Sequence, residues 1–274
     1  MLTAYCILAY SLVMKENIRA VLLDITGTLV EKGAWIPGAD KVVRRLIERS
    51  LIVRLISNTT IKSRRLIGQQ FEAMGLAIDS DWIFTPARAA QAWLKLKKPV
   101  HGILPLIHPD LLEDLNGLHL TDGDKADYVL VGDMNDKWNP GVLNLALRAL
   151  LSGSKLIALQ KGRRWIAEDG YRLDCGAYVA ALEYAAGLKC EVVFGKPNPV
   201  FYQMVLADAG VLLSEAIMIG DDIESDYVGS RQCGIRGLLV QTGKSATPGQ
   251  LPDGINRNDI IDSITELPAW FEIG

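Results

Sequence analysis

One apolar run that ends in a carboxylate constrains this chain more than any other feature. Residues 18–23 read Ile-Arg-Ala-Val-Leu-Leu, and Asp-Ile-Thr-Gly-Thr follows at residues 24–28. A short, nearly continuous apolar run is typical of a strand that is buried on both faces, as in a parallel sheet. Ligands of open α/β sheets bind at the carboxyl ends of such strands. The sequence therefore predicts a parallel sheet with Asp24 at its ligand-binding edge.

Strand and helix patterns alternate along the rest of the chain. A helix begins after Pro37 and Gly38, and a second strand covers residues 51–56 and ends in Ser57 and Asn58. Strands that are separated by helices usually pair in parallel through right-handed crossovers. The other predicted strands cover residues 100–104, 127–131, 155–159, 192–194, 216–219 and 235–240. The other predicted helices end near Gly75 or cover residues 86–97, 139–151, 176–186, 199–209 and 223–233.

The predicted fold class is α/β, with a doubly wound parallel sheet. The most economical organisation joins residues 1–80 and 187–274 in one core, with residues 81–186 as an inserted α/β domain. The segment after Thr242 is rich in Gly, Pro, Asn and Asp, and we expect it to wrap over the surface.

Composition excludes several classes of partner. The formal net charge is −3, so the chain lacks the basic excess of a nucleic-acid-binding protein. Its four cysteines show neither a close pair nor zinc spacing, which is typical of reduced thiols in the cytoplasm. Residues 1–14 are mostly apolar, but a membrane span needs ~20 such residues, so we expect no membrane partner. We expect this segment to be an over-extended start before Met14; the alternatives are a peripheral anchor or an extra packed segment.

Two downstream sequences share the setting of Asp24. Gly-Lys-Pro at residues 195–197 and the acidic sequence at residues 220–226 each follow a predicted strand. A carboxylate, a cation and an acidic metal cluster are the parts needed for Mg²⁺-dependent phosphoryl transfer through an aspartyl-phosphate. In this hypothesis Asp24 attacks phosphorus, and Lys196 offsets the charge on Asp24 and on the phosphoryl oxygens.

The acidic residues are candidate magnesium ligands, because Mg²⁺ prefers oxygen ligands and keeps several waters. We expect Asp24, Asp221 and the backbone carbonyl of Thr26 to bind the ion directly. Asp222 and Asp226 would bind through water or orient the ligands.

The phosphoryl group itself needs donors, and we expect the Ser57 hydroxyl and the Asn58 backbone N–H to hold one of its oxygens. Each motif alone has a simpler interpretation, since a carboxylate after a strand is usually a cap, and Gly-Lys-Pro or Gly-Asp-Asp is often a turn. The order of the motifs, and the strand before each, favour the joint interpretation.

These motifs together resemble the haloacid dehalogenase (HAD) superfamily of phosphatases. The resemblance rests on residues 24–29, Ser57-Asn58, Lys196 and residues 220–226. The insert lies between the second and third motifs, as in the C2-capped, NagD-like class. Shorter stretches at residues 156–158, 181–185, 195–197 and 218–222 resemble particular members of that class. The resemblance implies a Rossmann-like HAD core with a C2-type cap, a Mg²⁺-dependent phosphatase of small molecules, and a homodimer that forms through the cap.

Thr26 departs from the pattern of the superfamily. Most of its phosphatases carry a second Asp at this position, which protonates the leaving group and later activates water. A threonine hydroxyl is a poor proton donor at neutral pH, and the loss of a positioned acid–base typically costs ~10²–10⁴ in rate, or roughly 3–5 kcal/mol. The loss is greatest for alkyl phosphoesters, whose alkoxide leaves badly. The sequence therefore predicts a preference for good leaving groups, such as those of pyrophosphates and phosphoramidates.

The insert is expected to close over the site and to select the substrate. Its loop at residues 132–138 follows a predicted strand, and Asp133, Asn135 and Trp138 are the candidate specificity residues; a plain surface loop is the alternative. Residues 174–177 precede a helix and are a second candidate for an anion site, although an ordinary helix cap is the better interpretation.

Three rival functions share parts of this pattern. A phosphomutase would form the same intermediate but normally relies on the Asp that Thr26 replaces. A dehalogenase would use Asp24 on carbon and would not need the metal cluster. A catalytically weak regulatory protein that binds phosphate and Mg²⁺ is the third alternative, and Thr26 is the residue that supports it.

Overall fold

A computed structural model describes residues 17–167, 169–246 and 255–272. The expectation of an over-extended start at residues 1–14 lies outside the described residues. The chain divides into two compact units. Of the described residues, the first comprises 17–57, 70–83, 205–246 and 255–272, and the second comprises 58–69, 84–167 and 169–204. The predicted boundaries of the insert, at residues 81 and 186, stay a prediction.

The first unit is built on a six-stranded sheet. Its strands are β1 (Ala20–Asp24), β4 (Ile52–Ile56), β5 (Ile83–Phe84), β12 (Ala216–Gly220), β13 (Arg236–Val240) and β14 (Ile260–Ile261). They lie in the order β14-β13-β12-β1-β4-β5, and the pairs from β14 to β4 are parallel. All five residues of β1 are buried, as expected of a central strand covered on both faces. The predicted doubly wound parallel α/β fold is confirmed.

The order of the strands creates a switch point at β1. After β1 the chain builds the sheet to one side through β4, and it later builds to the other side through β12 and β13. The register places Asp24 beside Ile56 and Leu23 beside Ile219. Open α/β sheets bind ligands at such a point, because the loops that leave the two neighbouring strands diverge there. Asp24 therefore lies at the edge of the sheet that favours a site.

Helices and a small hairpin complete the elements that belong to the first unit. The helices are α1 (Ala39–Glu48), α7 (Gly229–Gln232) and α8 (Leu267–Glu272), and the hairpin pairs β2 (Val30–Glu31) with β3 (Ala34–Trp35). Helix α1 buries Val42, Val43 and Leu46 at helical spacing, as its sequence pattern predicts. Helices α2 (Arg64–Ala73) and α6 (Pro199–Ala209) contribute residues to both units.

The second unit has a four-stranded parallel sheet in the order β11-β8-β7-β6. These strands are β6 (Ile103–Leu106), β7 (Tyr128–Val131), β8 (Lys155–Ala158) and β11 (Val192–Val193). The helices are α3 (Pro86–Lys97), α4 (Pro140–Leu151) and α5 (Cys175–Ala186), and β9 (Arg164–Ala167) pairs with β10 (Gly170–Leu173) in an exposed antiparallel hairpin. Side chains of β7, β8, α4 and α5 form the core of this unit.

Residue chemistry sets the helix boundaries in this unit. Thr85 accepts the N–H of Arg88 at 3.3 Å and caps α3, and Asn139 accepts the N–H of Val142 at 3.1 Å and caps α4. Gly187 ends α5 in a left-handed conformation with φ 64°.

Two expected elements differ in detail from the structure, and one hairpin was not expected. The strand expected at residues 100–104 is Ile103–Leu106, because Gly102 has φ 85° and interrupts extended backbone before it. The helix expected at residues 223–233 begins as the π-helix Ile223–Val228, in which the Tyr227 N–H donates to the Asp222 carbonyl, five residues earlier, at 3.2 Å. The hairpin β9–β10 was not predicted.

The segment after Thr242 also differs from the expected surface wrap. Strand β14 extends the sheet, and Ile264 and Leu267 are fully buried. Asp259 is buried as well, and its Oδ2 accepts hydrogen bonds from the Tyr227 hydroxyl at 3.1 Å and from Arg231 Nη1 at 2.7 Å. The described part of the tail therefore belongs to the core of the first unit. Within the described ranges, every helix is too short or too polar to cross a lipid bilayer.

Candidate active site

The carboxyl ends of β1 and β12 bring three buried carboxylates together. Asp24 ends β1, Asp221 follows β12, and Asp226 lies in the π-helix after it. One carboxylate oxygen from each lies within 4.8 Å of the other two, and the three residues are at most 7% exposed. The sequence predicted this convergence from strands almost 200 residues apart.

Glycines make room for this cluster. Gly27 has φ 92° and Gly243 has φ 55°, and a Cβ on either residue would collide with the Asp221 carboxylate. A Cβ on Gly220 would collide in the same way with Asp226. Side chains therefore cannot replace these glycines unless the carboxylates move.

A divalent cation fits this donor set. Carboxylate oxygens are the ligands that Mg²⁺ prefers, and buried like charges are costly unless a cation compensates them. The chain folds around the three carboxylates with glycine at each close approach, so the cluster is built into the fold.

Asp222 differs from its neighbour because it performs a structural task. Its Oδ1 accepts the N–H groups of Glu224 at 3.0 Å and Ser225 at 2.9 Å, and so caps the π-helix, while its Oδ2 accepts Lys244 Nζ at 2.5 Å. Burial raises the pKa of Asp222, but the hydrogen bonds from Lys244 and Ser225 and the charge of Lys244 outweigh burial, so the pKa lies below its ordinary value. Asp222 therefore stays ionised beside the cluster.

The turn Thr242–Ser245 is a part of the site that the sequence analysis missed. It follows β13 at the same edge of the sheet. The Lys244 backbone N–H donates to Asp221 Oδ2 at 2.7 Å, and the Ser245 hydroxyl donates to the Asp221 carbonyl at 2.6 Å. The Thr242 hydroxyl donates to the Gly27 carbonyl at 2.5 Å. The position of this turn directly after a predicted strand could have indicated a site residue. The segment that follows is rich in Gly, Pro, Asn and Asp, which favours the interpretation of the turn as part of a surface loop.

Thr26 and Thr28 have opposite surroundings. The side chain of Thr26, at the position of the absent acid–base, is exposed. Thr28 is fully buried, and its Oγ1 has no hydrogen-bond partner. Ser57 directly follows Ile56, the register partner of Asp24, and is 8% exposed.

Asn58 and Lys196 meet in the second unit. The Asn58 side chain makes two hydrogen bonds to the main chain of Lys196, and Lys196 is buried. The residue before Lys196 is glycine because the backbone of residues 159–160 lies close to it. A Cβ on Gly195 would lie 2.9 Å from Gln160 Cβ and 3.0 Å from the Leu159 carbonyl oxygen.

The predicted specificity loop follows β7 in the second unit. Asp133 is buried and accepts the N–H of Asn135 at 2.6 Å, and Asn135 is in the left-handed conformation with φ 51°. Trp138 stacks on Tyr178 with ring centroids 4.1 Å apart. A pocket beside the loop is lined by Asp133, Asn135, Asp136, Trp165, Arg172, Leu173 and Tyr178. Burial raises the pKa of Asp133, and the nearby Asp174 and Asp136 carboxylates add to the effect.

Asp174, the start of the second candidate anion site, acts as a helix cap. Its Oδ1 accepts the Cys175 N–H at 2.7 Å and Gln160 Nε2 at 2.5 Å. This is the simpler of the two interpretations that the sequence allowed.

Comparison with known proteins identifies the family. A model described as haloacid dehalogenase-like hydrolase matches residues 21–121, and a HAD-hydrolase-like model matches residues 193–267. Haloacid dehalogenase-like hydrolase domain-containing protein 2 of Pongo abelii is 38% identical over 227 residues, which are 83% of this chain and 85% of that protein. The chain belongs to the haloacid dehalogenase-like hydrolase family.

Two further HAD relatives agree with this placement. Phospholysine phosphohistidine inorganic pyrophosphate phosphatase of Danio rerio is 33% identical over 93% of this chain and 94% of its own length. The structure of a p-nitrophenyl phosphatase from Archaeoglobus fulgidus superposes with a TM-score of 0.82 and 27% identity, over 94% of this chain and 100% of that one.

The resemblance seen in the sequence is thereby confirmed for the HAD family and for the α/β fold with a cap. The structure of a nagD-like protein is 23% identical over 93% of this chain and 98% of that one and superposes with a TM-score of 0.81, so the fold is that of the NagD-like class. The prediction of an enzyme of the phosphatase class is also confirmed, since these HAD relatives are named as phosphatases.

Proposed function

We propose that this chain is a Mg²⁺-dependent phosphatase that hydrolyses a small phosphorylated substrate through an aspartyl-phosphate on Asp24. The observation that carries the proposal is the buried cluster of Asp24, Asp221 and Asp226 at the switch point of the sheet. A nucleophile at a strand end, beside carboxylates that suit a divalent cation, matches the requirements of phosphoryl transfer.

The reaction would proceed in two displacements at phosphorus. A carboxylate oxygen of Asp24 forms a bond to phosphorus while the bond to the leaving group breaks, and the leaving group departs with the bonding electrons. A water molecule then attacks the same phosphorus, the bond to Asp24 breaks, and inorganic phosphate is released. Asp24 returns to its ionised form.

Other residues would orient and neutralise the reacting groups. The Ser57 hydroxyl, the Asn58 backbone N–H and the Lys196 ammonium would hold the phosphoryl oxygens. Asp24, Asp221 and the Thr26 carbonyl would hold Mg²⁺, and bound there the ion would supply positive charge to the attacking and transferred groups.

The outer acidic residues support this arrangement. Asp226 accepts the Asp222 N–H at 3.1 Å, and Asp222 caps the helical turn that carries Asp226. We therefore assign Asp222 and Asp226 to orienting the ligands.

Thr26 would set the preferred leaving group. An exposed threonine hydroxyl cannot supply a proton at neutral pH, so a substrate whose leaving group departs as a stable anion reacts fastest. Pyrophosphates and activated esters satisfy this condition, and a phosphoramidate that is already protonated on nitrogen releases a neutral amine, which likewise needs no proton from the enzyme. The similarity to an inorganic pyrophosphate phosphatase and to a p-nitrophenyl phosphatase supports the same substrate classes.

The cap would complete the enzyme. We propose that Asp133, Asn135 and Trp138 contact the leaving group, that two copies pair through the cap, and that the enzyme acts in the cytoplasm. Nucleic acids and membranes are not among its proposed partners.

The first experiment measures p-nitrophenyl phosphate hydrolysis with Mg²⁺ and with EDTA. We expect activity that needs Mg²⁺ and that Asp24→Asn abolishes. Activity that survives Asp24→Asn at an unchanged rate would refute the aspartyl-phosphate. A panel of pyrophosphate, phosphoramidates and alkyl phosphates then identifies the substrate class.

The second candidate is a catalytically weak regulatory protein that binds phosphate and Mg²⁺, and the observation that favours it is Thr26. It predicts saturable binding of Mg²⁺ and inorganic phosphate without hydrolysis of any member of the panel. Turnover of one member by the wild-type chain, but not by Asp24→Asn, would exclude it.

A further inference from the structure

Lys244 contacts the acidic residues twice, once through its backbone and once through its ammonium group. Its backbone N–H already donates to Asp221, and its side chain reaches Asp222, with Nζ 2.5 Å from Oδ2. One residue therefore contacts both members of the Asp-Asp pair, through its main chain and through its charge.

The position of the turn is fixed independently of that ammonium group. The hydroxyls of Thr242 and Ser245 donate to backbone carbonyls of Gly27 and Asp221, and Gly243 lies directly against the Asp221 carboxylate. A change of the Lys244 side chain alone therefore alters the charge beside the cluster and leaves these contacts in place.

An exposed ion pair by itself contributes little to stability. The Lys244 side chain is 73% exposed, but its partner Asp222 is only 22% exposed. Asp222 is the sequence neighbour of Asp221, and its N–H donates to Asp226 at 3.1 Å. Burial lowers the pKa of Lys244, whereas the hydrogen bond to Asp222 and the charges of Asp222, Asp221 and Asp226 raise it, and the net change is upward. The ammonium is thus in the electrostatic field of the whole cluster.

We propose that Lys244 is a tethered counter-ion of the carboxylate cluster, which stabilises the metal-free fold and lowers the affinity of the cluster for a divalent cation. The inference rests on the proposed metal site, in which Asp24, Asp221 and the Thr26 carbonyl would hold the cation and Asp226 would orient these ligands. Lys244 is a positioning residue in this proposal, because it acts on the cation only through the charge that it places beside the acidic residues.

The proposal fixes the signs of two effects. Without Lys244 no ammonium group compensates the repulsion among the carboxylates, so the metal-free protein is less stable. A bound divalent cation is no longer repelled by the ammonium, so it binds more tightly. We expect the Kd to fall by about three- to ten-fold, which is the size of the repulsion between a single and a double positive charge near the protein surface. A purely structural lysine would change both quantities in the same unfavourable direction.

The test compares Lys244→Met with wild type, with Lys244→Arg and with Lys41→Met. Methionine keeps the unbranched stem and removes the charge, arginine keeps the charge, and Lys41 is an exposed lysine of α1 that gives the same change in net charge elsewhere. Mg²⁺ alone is titrated by calorimetry into each metal-free protein, and thermal unfolding is followed in EDTA and in saturating Mg²⁺.

We expect Lys244→Met to lower the Kd for Mg²⁺ and to lower the unfolding temperature in EDTA, with the difference shrinking in saturating Mg²⁺. Lys244→Arg and Lys41→Met should resemble wild type. An unchanged or higher Kd for Mg²⁺ in Lys244→Met would refute the counter-ion role of Lys244 but not the proposed metal site. Failure of wild type to bind Mg²⁺ would overturn the metal site, and the counter-ion with it.

Discussion

The side chain of Asn58 holds the main chain of Lys196 through both of its polar atoms. Asn58 Nδ2 donates to the Lys196 carbonyl at 2.9 Å, and Asn58 Oδ1 accepts the Lys196 N–H at 2.8 Å. The sequence assigned Asn58 a phosphate contact through its backbone N–H, which leaves the side chain available for this pairing. The position of the buried Lys196 backbone therefore depends on Asn58.

Asn58→Ala should reduce activity by misplacing Lys196. The change leaves a donor and an acceptor of Lys196 without these partners, which costs about 1–3 kcal/mol in unfolding free energy. We expect kcat to fall by about ten- to a hundred-fold, because a small displacement of a charged group weakens transition-state stabilisation. Steady-state kinetics and urea unfolding measure the two effects. Asn144→Ala, an exposed site on α4, is the control, and equal kinetics in the two variants would contradict this role.

Gly243→Ala should damage the acidic cluster more than the backbone conformation alone explains. The new Cβ would collide with the Asp221 carboxylate and lie 2.5 Å from the Gly27 Cα. Gly33→Ala is the matched control, since Gly33 has φ 79° and open space around its Cβ position. Alanine in the left-handed conformation lowers the free energy of unfolding by about 1–2 kcal/mol in both variants. We expect only Gly243→Ala to weaken Mg²⁺ binding as well. If calorimetric titrations gave the same Mg²⁺ affinity for Gly243→Ala and Gly33→Ala, the contact between Gly243 and the Asp221 carboxylate would not matter for the metal site.

The sequence predicted the parallel sheet and the position of Asp24 because both depend on local patterns. Continuous apolar runs mark strands that are buried on both faces, and the strand–helix alternation fixes a parallel topology. The convergence of Asp24 and Asp221 followed from topology, since the ends of neighbouring parallel strands share an edge.

The contribution of Lys244 could not be predicted in the same way. Its contacts with Asp221 and Asp222 depend on the length of β13 and on the path of the turn after it. A segment rich in Gly, Pro, Asn and Asp has the composition of a surface loop, and composition is insensitive to packing by a few apolar residues such as Ile264. The π-helix was likewise hidden, because a wide turn leaves the helical spacing of its apolar residues nearly unchanged.

Leu267→Ala measures whether the tail stabilises the first unit. Leu267 is fully buried, so the truncation removes packed apolar surface and leaves a cavity that costs about 2–5 kcal/mol. Leu212→Ala is the same substitution at a side chain that is 69% exposed, and it should change stability by less than about 0.5 kcal/mol. Chemical unfolding of both variants gives the comparison. Equal stabilities would mean that the tail is a surface wrap after all.

Asp133 should make stability depend on pH. Burial raises its pKa in the folded protein above the ordinary value of 3.8. The folded state then binds the proton more tightly, so the stability that Asp133 contributes is present below pH 3.8 and is lost as the pH rises through the raised pKa. Asp133→Asn keeps an oxygen to accept the Asn135 N–H and cannot ionise. We expect the variant to gain stability relative to wild type as the pH rises from 4 to 7 in urea unfolding; parallel profiles would contradict the shift.

Thr26→Asp should restore a proton donor and change the ranking of substrates. The Thr26 side chain is exposed, so a carboxyl group fits there without displacing packed residues. A donor at this position helps most when the leaving group is a poor one, so we expect alkyl monoesters to gain more in kcat/KM than pyrophosphate, up to about 10²-fold. Thr26→Asn has nearly the same shape and no acid, and it separates protonation from geometry. Equal gains on both substrates, or an equal gain from Thr26→Asn, would show that the missing acid does not set the preference.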